Sequence, residues 1–310
     1  MKNWFRTLVT GCAVASLAAC AAQPAPRSAA PQSAAPAAAA VEEKGPALWA
    51  VKDADTTVYL LGTVHVLRPG LSWFDGAIRQ AFDKSDELVL EIVLPEDQAE
   101  VAAVTLPLAM DKNGKTLPQK LDPAALKAYQ AAMTSLGVPA NAFDAFEPWF
   151  AAVTLSVLPL TKMGYQPDEG VEKQLTAAAK AVNKPVSGLE TLTEQLGFFD
   201  NLPETQQIAF LNAMVKDIDK VGPSLDRMVS LWGKGDPDKL AVEMNESMAS
   251  TPELASTLLY NRNARWADKI KARMAKPGIV FVAVGAGHLA GARSVQDYLA
   301  ERGLQAKRVQ

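Results

Sequence analysis

Two apolar, β-branched runs stand at opposite ends of this chain, and each closes on the same signature. "VYLLGTVH" ends in Gly62-x-x-His65, and "VFVAVGAGH" ends in Gly285-x-x-His288. Runs of this kind read as buried strands bounded by turn residues. The stretch between them is dominated by helical spacing. A chain with strands at both ends and helices in the middle has one economical solution. A central mixed sheet is assembled from N- and C-terminal strands, with large helical inserts, giving an α/β fold with some α+β character. The chain has only two histidines, and both fall in these matching settings.

The pass along the chain fills in this plan. "ALWAVKD" and "TTVYLLGTVH" read as a hairpin. "FDGAIRQAFDKS" has helical spacing at Phe74, Ile78 and Phe82, and "ELVLEIVL" reads as a strand closed by Pro95. Helices follow, two of them starting at Asp122-Pro123 and Glu147-Pro148. "DEGVEKQLTAAAKAVN" is a helix leading into a strand "KPVSGLE". The next helix opens with a capping box from Thr191 to Glu194. Residues 203–232 and 237–275 read as helical, "GARSVQDYLAERG" as a further helix, and "QAKRVQ" as a terminal edge strand.

The first twenty residues are not part of this fold. Lys2 and Arg6 precede an apolar stretch that ends in Leu17-Ala18-Ala19-Cys20. This is the layout of a lipoprotein signal, in which Cys20 carries the lipid. Ala21 after the cysteine favours the periplasmic face of the outer membrane over retention in the inner membrane. Residues 21–46 are an Ala/Pro/Ser tract that reads as a disordered tether. Residues 47–310 are the folded domain. The only other cysteine, Cys12, lies within the signal, so thiol catalysis and cysteine metal sites are excluded. The net charge of −3, with no basic run, argues against nucleic acid as a partner.

Four polar side chains sit where strands end. His65 and His288 follow their glycines, Glu91 interrupts "LVLEIVL", and Glu190 closes "PVSGLE". A carboxylate in an apolar strand is costly unless paired or ligated. Ligands of open α/β sheets gather at the carboxyl ends of strands. Two imidazoles and carboxylates there suit a divalent metal (Mn²⁺, Co²⁺ or Zn²⁺), each glycine letting the backbone bend to aim its histidine. Such an ion makes a nucleophile of bound water. The same groups permit metal-free chemistry, with a histidine as base oriented by Glu91 or Glu190. Blander readings stand beside these. A histidine after a strand can simply satisfy a turn, Glu91 can face out from an edge strand, and Glu190 can favour the next helix dipole.

The motifs "LWAVKDADTTVYLLGTVHVLRPG", "SDELVLEI", "PWFAAVTL", "GYQPDEGVEKQL", "KPVSGLETLTEQL", "LLYNRNARWADKI" and "VFVAVGAGHLAG" together resemble the TraB/GumN family, related to Tiki-type proteases and the erythromycin-esterase group. The resemblance runs from about Leu48 to the C-terminus. It implies an α/β core, a site built on both Gly-x-x-His motifs and Glu91, and metal-dependent peptidase or amidase chemistry on a peptide or small-molecule substrate. Carried over by position, it implies His65, Glu91 and His288 as metal ligands, with Glu190 as a fourth ligand or base and Arg262 in catalysis. Gly62, Gly285, Gln195, Asn263 and Glu172 are further motif positions. The family pattern has aspartate where Glu172 stands; the longer side chain leaves a ligand role, a capping role or a solvated position open. Arg262 suits either a substrate carboxylate or oxyanion, or an ion pair to Glu190 or Glu91. The distantly similar haem-binding ChaN-type proteins supply a rival expectation, capture of metal or haem without turnover.

Overall fold

The computed structural model describes residues 45–248 and 252–310. The signal, the tether and Cys20 lie outside the described residues. In chain order, β1 (Leu48–Lys52), β2 (Thr56–Thr63), α1 (Gly76–Lys84) and β3 (Glu87–Leu90) come first. Then come α2 (Gln98–Ala109), the single turn α3 (Leu117–Lys120), α4 (Pro123–Leu136), α5 (Pro148–Lys162), α6 (Val171–Ala181) and β4 (Val186–Gly188). They are followed by α7 (Leu192–Asp200), α8 (Glu204–Lys216), α9 (Val221–Gly233), α10 (Pro237–Met248) and the short α11 (Pro252–Ala255). A π-helical turn over Ser256–Tyr260 leads into α12 (Asn261–Met274), and β5 (Gly278–Gly285), α13 (Val295–Glu301) and β6 (Ala306–Arg308) complete the chain.

The strands form one six-stranded sheet in the order β4-β3-β5-β2-β1-β6. β1 and β2 are the expected hairpin, and β6 is the expected edge strand, antiparallel to β1. β2, β5, β3 and β4 run parallel to one another, with β5 between β2 and β3. The first and last thirds of the chain thus meet at the centre of the sheet. β5 shows why: Val280, Val282 and Val284 face one side, Phe281 and Ala283 the other, and all five are buried. A strand covered on both faces reads as a continuous apolar run. The valine face packs on Trp266 and Ile270 of α12 and Leu299 of α13. The opposite face packs on Ile78 and Phe82 of α1, Val171 and Leu175 of α6, and Trp232 of α9. A separate helical core centres on Trp149, Phe150, Phe143 and Tyr129.

The helix starts follow their local chemistry. Asp122 caps α4 by accepting from the backbone of Ala124 and Ala125, and Pro123 occupies the first turn. Glu147 precedes Pro148 at the start of α5, and Thr191 and Glu194 form the capping box of α7. Several boundaries differ from expectation. The strand "ELVLEIVL" stops at Leu90 because the N–H of Gly285, at the end of neighbouring β5, turns to the Glu91 side chain, 2.6 Å away. "KPVSGLE" is strand only over Val186–Gly188. The helix over 203–232 breaks between α8 and α9. α13 begins only at Val295, because Gly291 and Arg293 take positive φ and Ser294 forms the cap.

Candidate functional site

His65, Glu91, Glu190 and His288 lie just beyond the carboxyl ends of β2, β3, β4 and β5, four strands that run the same way. In open α/β sheets this is the end that presents ligand-binding groups. The two motif glycines serve space rather than bending, which corrects the expectation that they let the chain turn. Neither has positive φ. A Cβ on Gly62 would lie 3.0 Å from the backbone of Ala286. A Cβ on Gly285 would lie 3.0 Å from Glu91 Oε1, 3.6 Å from the His288 ring and 3.9 Å from His65 Nε2. The missing side chain of Gly285 is therefore the space onto which both histidines and Glu91 converge.

His288 is buried. Its Nδ1 lies 2.5 Å from Asn263 Oδ1, and the Asn263 amide is oriented because its Nδ2 donates to the Arg293 carbonyl at 2.8 Å. Nδ1 must then carry the proton, and Nε2 keeps its lone pair. That lone pair faces Arg262 Nη1 at 3.3 Å. Burial first, and the positive charge of Arg262 after it, hold His288 down to about 3, so the ring is neutral across the physiological range. Trp266 packs on the ring with centroids 4.3 Å apart.

His65 has a different setting. Its side chain is 62 % exposed, and its Nδ1 lies 2.7 Å from Glu172 Oε1. Thr63 also donates its hydroxyl to that carboxylate. The charge of Glu172 raises His65 to about 9 against the smaller opposing effect of desolvation. Glu172 is thus the partner of His65 rather than a solvated helix residue. From the first turn of α6 its side chain reaches across to the end of β2. Sequence reasoning left its role open and missed Thr63, which nothing beyond its place two residues before His65 marks.

Arg262 ties the carboxylates together. Its Nη2 donates to Glu91 Oε2 at 2.6 Å and to Glu190 Oε2 at 2.8 Å, and its Nε lies 3.1 Å from both Glu190 oxygens. Trp266 Nε1 donates to Glu190 Oε1 at 2.9 Å. Glu190 is therefore fully engaged behind the site, and Arg262 takes the ion-pair role rather than an open one. The π-helical turn before α12 contributes the Leu258 carbonyl, which accepts from Arg262 Nη1 at 2.9 Å. Glu91 also accepts from Gln195 at 3.0 Å, which gives that motif position a job. Burial works to raise Glu91, but the adjacent His288 imidazole, the charges of Arg262 and His65 and the Gly285 N–H outweigh it and hold it at about 2.

In front of these groups lies a cleft of about 170 Å³. His65, Glu91, Glu172 and Gln195 form its floor, the segment Leu90–Glu96 one wall, and α6 the other. Of the helical stretch between Pro95 and Gly170, only Pro95, Glu96 and Pro167 reach it. The set could hold a proton, a polarised water or a substrate carbonyl. As donors for a metal, both histidines have Nδ1–H fixed by an oxygen, as metal-bound imidazoles do; Nε2 of His288 keeps its lone pair, whereas His65 would offer Nε2 only after losing a proton. Among the described residues, however, no three His, Cys, Asp or Glu side chains form a group that could hold an ion.

Comparison with known proteins gives the wider setting. The model of the TraB/PrgY/gumN family matches residues 47–308. "Uncharacterized protein YbaP" of Escherichia coli (strain K12) is 24% identical over 254 residues, covering 82% of this chain and 92% of that protein. The Shigella flexneri protein of the same name is 25% identical over 241 residues, 78% of this chain and 87% of its own. An "Uncharacterized protein" of Treponema pallidum (strain Nichols) is 25% identical over 281 residues, 85% and 83% of the two chains. No solved structure matches significantly. The chain belongs to the TraB/PrgY/gumN family.

Proposed function

We propose that this member of the TraB/PrgY/gumN family is a hydrolase of the peptidase or amidase type, with its substrate carbonyl in the cleft above His65 and Glu91. The observation that carries this reading is the pairing of an open imidazole and a clamped carboxylate on one cleft floor. His65, held by Glu172 and kept protonated at neutral pH, is the proton donor to the leaving atom. Glu91 is held ionised by Arg262 and Gln195. Its Oε1 orients the attacking water and takes its proton. His288 stays neutral and, with Asn263, sets the back wall against which Arg262 is held.

A second reading puts a divalent ion, Mn²⁺, Co²⁺ or Zn²⁺, on His65, Glu91 and His288. Its support is that both histidines have Nδ1 held by an oxygen, which leaves Nε2 as the atom turned to the site. The spacing and the Arg262 guanidinium facing His288 Nε2 oppose it in the arrangement described. A bound ion would supply the acidification of water that Glu91 otherwise provides by accepting a proton. The lipid anchor at Cys20, and with it the periplasmic face of the outer membrane, belongs to the same proposal, resting on the sequence of the first twenty residues.

The test is a screen of peptide, amide and ester substrates with the purified protein, beside His65→Ala and Glu91→Gln, with elemental analysis of each. Turnover that both variants lose, without stoichiometric metal, supports the first reading. Turnover with near-stoichiometric metal that His65→Ala/His288→Ala loses supports the second. Turnover unchanged in both single variants would remove the site from the reaction.

A further inference from the structure

The charges that line the cleft do not all find partners, and the one left over indicates what the cleft takes. Glu172 is answered by His65 and Thr63, and Glu91 by Arg262, Gln195 and the Gly285 N–H. At the far end Glu96 pairs with Lys180. Lys173, on the cleft face of α6 one residue after Glu172, has no ion pair or hydrogen bond among the described residues. Every carboxylate in the cleft is thus spoken for, and one ammonium, on the residue after Glu172, is free.

The opposite wall has a different character. Ile92, Val93, Leu94 and Pro95 line it, and Val93 is 45 % exposed. The helix from Glu172 to Lys180 rises by about 12 Å. The cleft is therefore a short trough with an apolar wall, a free cation near its reactive end and a charge pair at its far end. An apolar wall is matched by apolar chain, and an unpaired ammonium, here exposed at the cleft edge, by an anion.

We infer that the cleft selects a substrate bearing a carboxylate or similar anion on a short apolar chain, with Lys173 answering the anion. This rests on the cleft being the hydrolase's substrate site, and it makes Lys173 a specificity-determining residue. A neutral substrate of the same length leaves Lys173 unpaired and binds more weakly.

Binding and turnover are read separately. Binding is measured by calorimetry with octanoate and octanamide, which share chain length and differ in charge. Turnover is measured with the mono-4-nitrophenyl ester of adipic acid and with neutral 4-nitrophenyl hexanoate. The wild type is expected to prefer octanoate by about fivefold, the size of a partly exposed ion pair. The preference should shrink with added salt, vanish in Lys173→Ala and persist in Lys173→Arg. kcat/KM should show the same bias toward the anionic ester. Equal binding of octanoate and octanamide, or a preference that survives Lys173→Ala, overturns the inference. Preferential binding with neither ester cleaved would leave the anion site standing while the hydrolase reading fails. Cleavage of both esters without preference would do the reverse.

Discussion

The two Gly-x-x-His motifs are the same four-residue pattern at the ends of adjacent parallel strands, yet the protein gives them opposite environments. His65 opens onto a cleft and leans on a carboxylate; His288 is enclosed by Trp266, Asn263 and Arg262. One is raised to about 9 and the other lowered to about 3. Groups of one kind whose surroundings drive their proton affinities apart are suited to different tasks. The motif fixes where an imidazole goes, and the neighbouring helices decide what it becomes: α6 supplies Glu172, and α12 supplies Arg262 and Asn263.

The largest effect should come from breaking the His288 side. Arg262→Ala leaves Glu91 and Glu190 buried without their cation. It should cost about 3–5 kcal/mol in urea denaturation, the range for one-sided loss of a buried ion pair. It should also let His288 titrate closer to the ordinary histidine value.

Next comes Gly170→Ala, aimed at the His65 side. A Cβ there would meet the His65 carbonyl oxygen at 2.1 Å, and Val171 N–H donates to Val64 O at 3.0 Å in the same contact. The substitution should cost about 1–3 kcal/mol, the range for overpacking, and shift the His65 resonances.

The pH dependence of stability separates the two halves further. His288 and Glu91 have folded values of about 3 and about 2, below their ordinary 6.5 and 4.5. The unfolded chain therefore binds protons first, and stability falls as pH drops from 6.5 toward 2. His65 is raised, so its contribution is complete below pH 6.5 and is lost as pH rises through about 9. Tm measured across pH should decline on both flanks, and Arg262→Ala should alter mainly the acid flank.

The smallest effect on stability should come from Glu172→Gln, about 1 kcal/mol for a pair whose histidine is open to solvent. That substitution should nonetheless bring His65 down from about 9 toward 6.5 and, on the hydrolase reading, move the alkaline limit of activity down with it.

Much of this architecture was legible in the sequence, and particular residues show why. The alternating burial of β5 and the proline-started helices α4 and α5 follow local rules that need no partner. That His65, Glu91, Glu190 and His288 meet at one end of the sheet followed from strand ends alone. What was not legible depends on distant neighbours. The early end of β3 reflects a bond from Gly285, and the close packing behind Gly62 reflects Ala286. The pairing of Glu172 with His65 joins positions 107 apart in the chain. Whether Glu190 was free or bound depended on Arg262, 72 residues away.

The most direct test of the split between the two histidines is an NMR titration of their ring resonances, in a chain that has only these two. One ring, assigned through His65→Ala, should titrate near pH 9. The other should stay neutral, as the Nδ1–H tautomer, down to about pH 3. Two rings titrating together near 6.5, or His288 taking up its proton above His65, would contradict it.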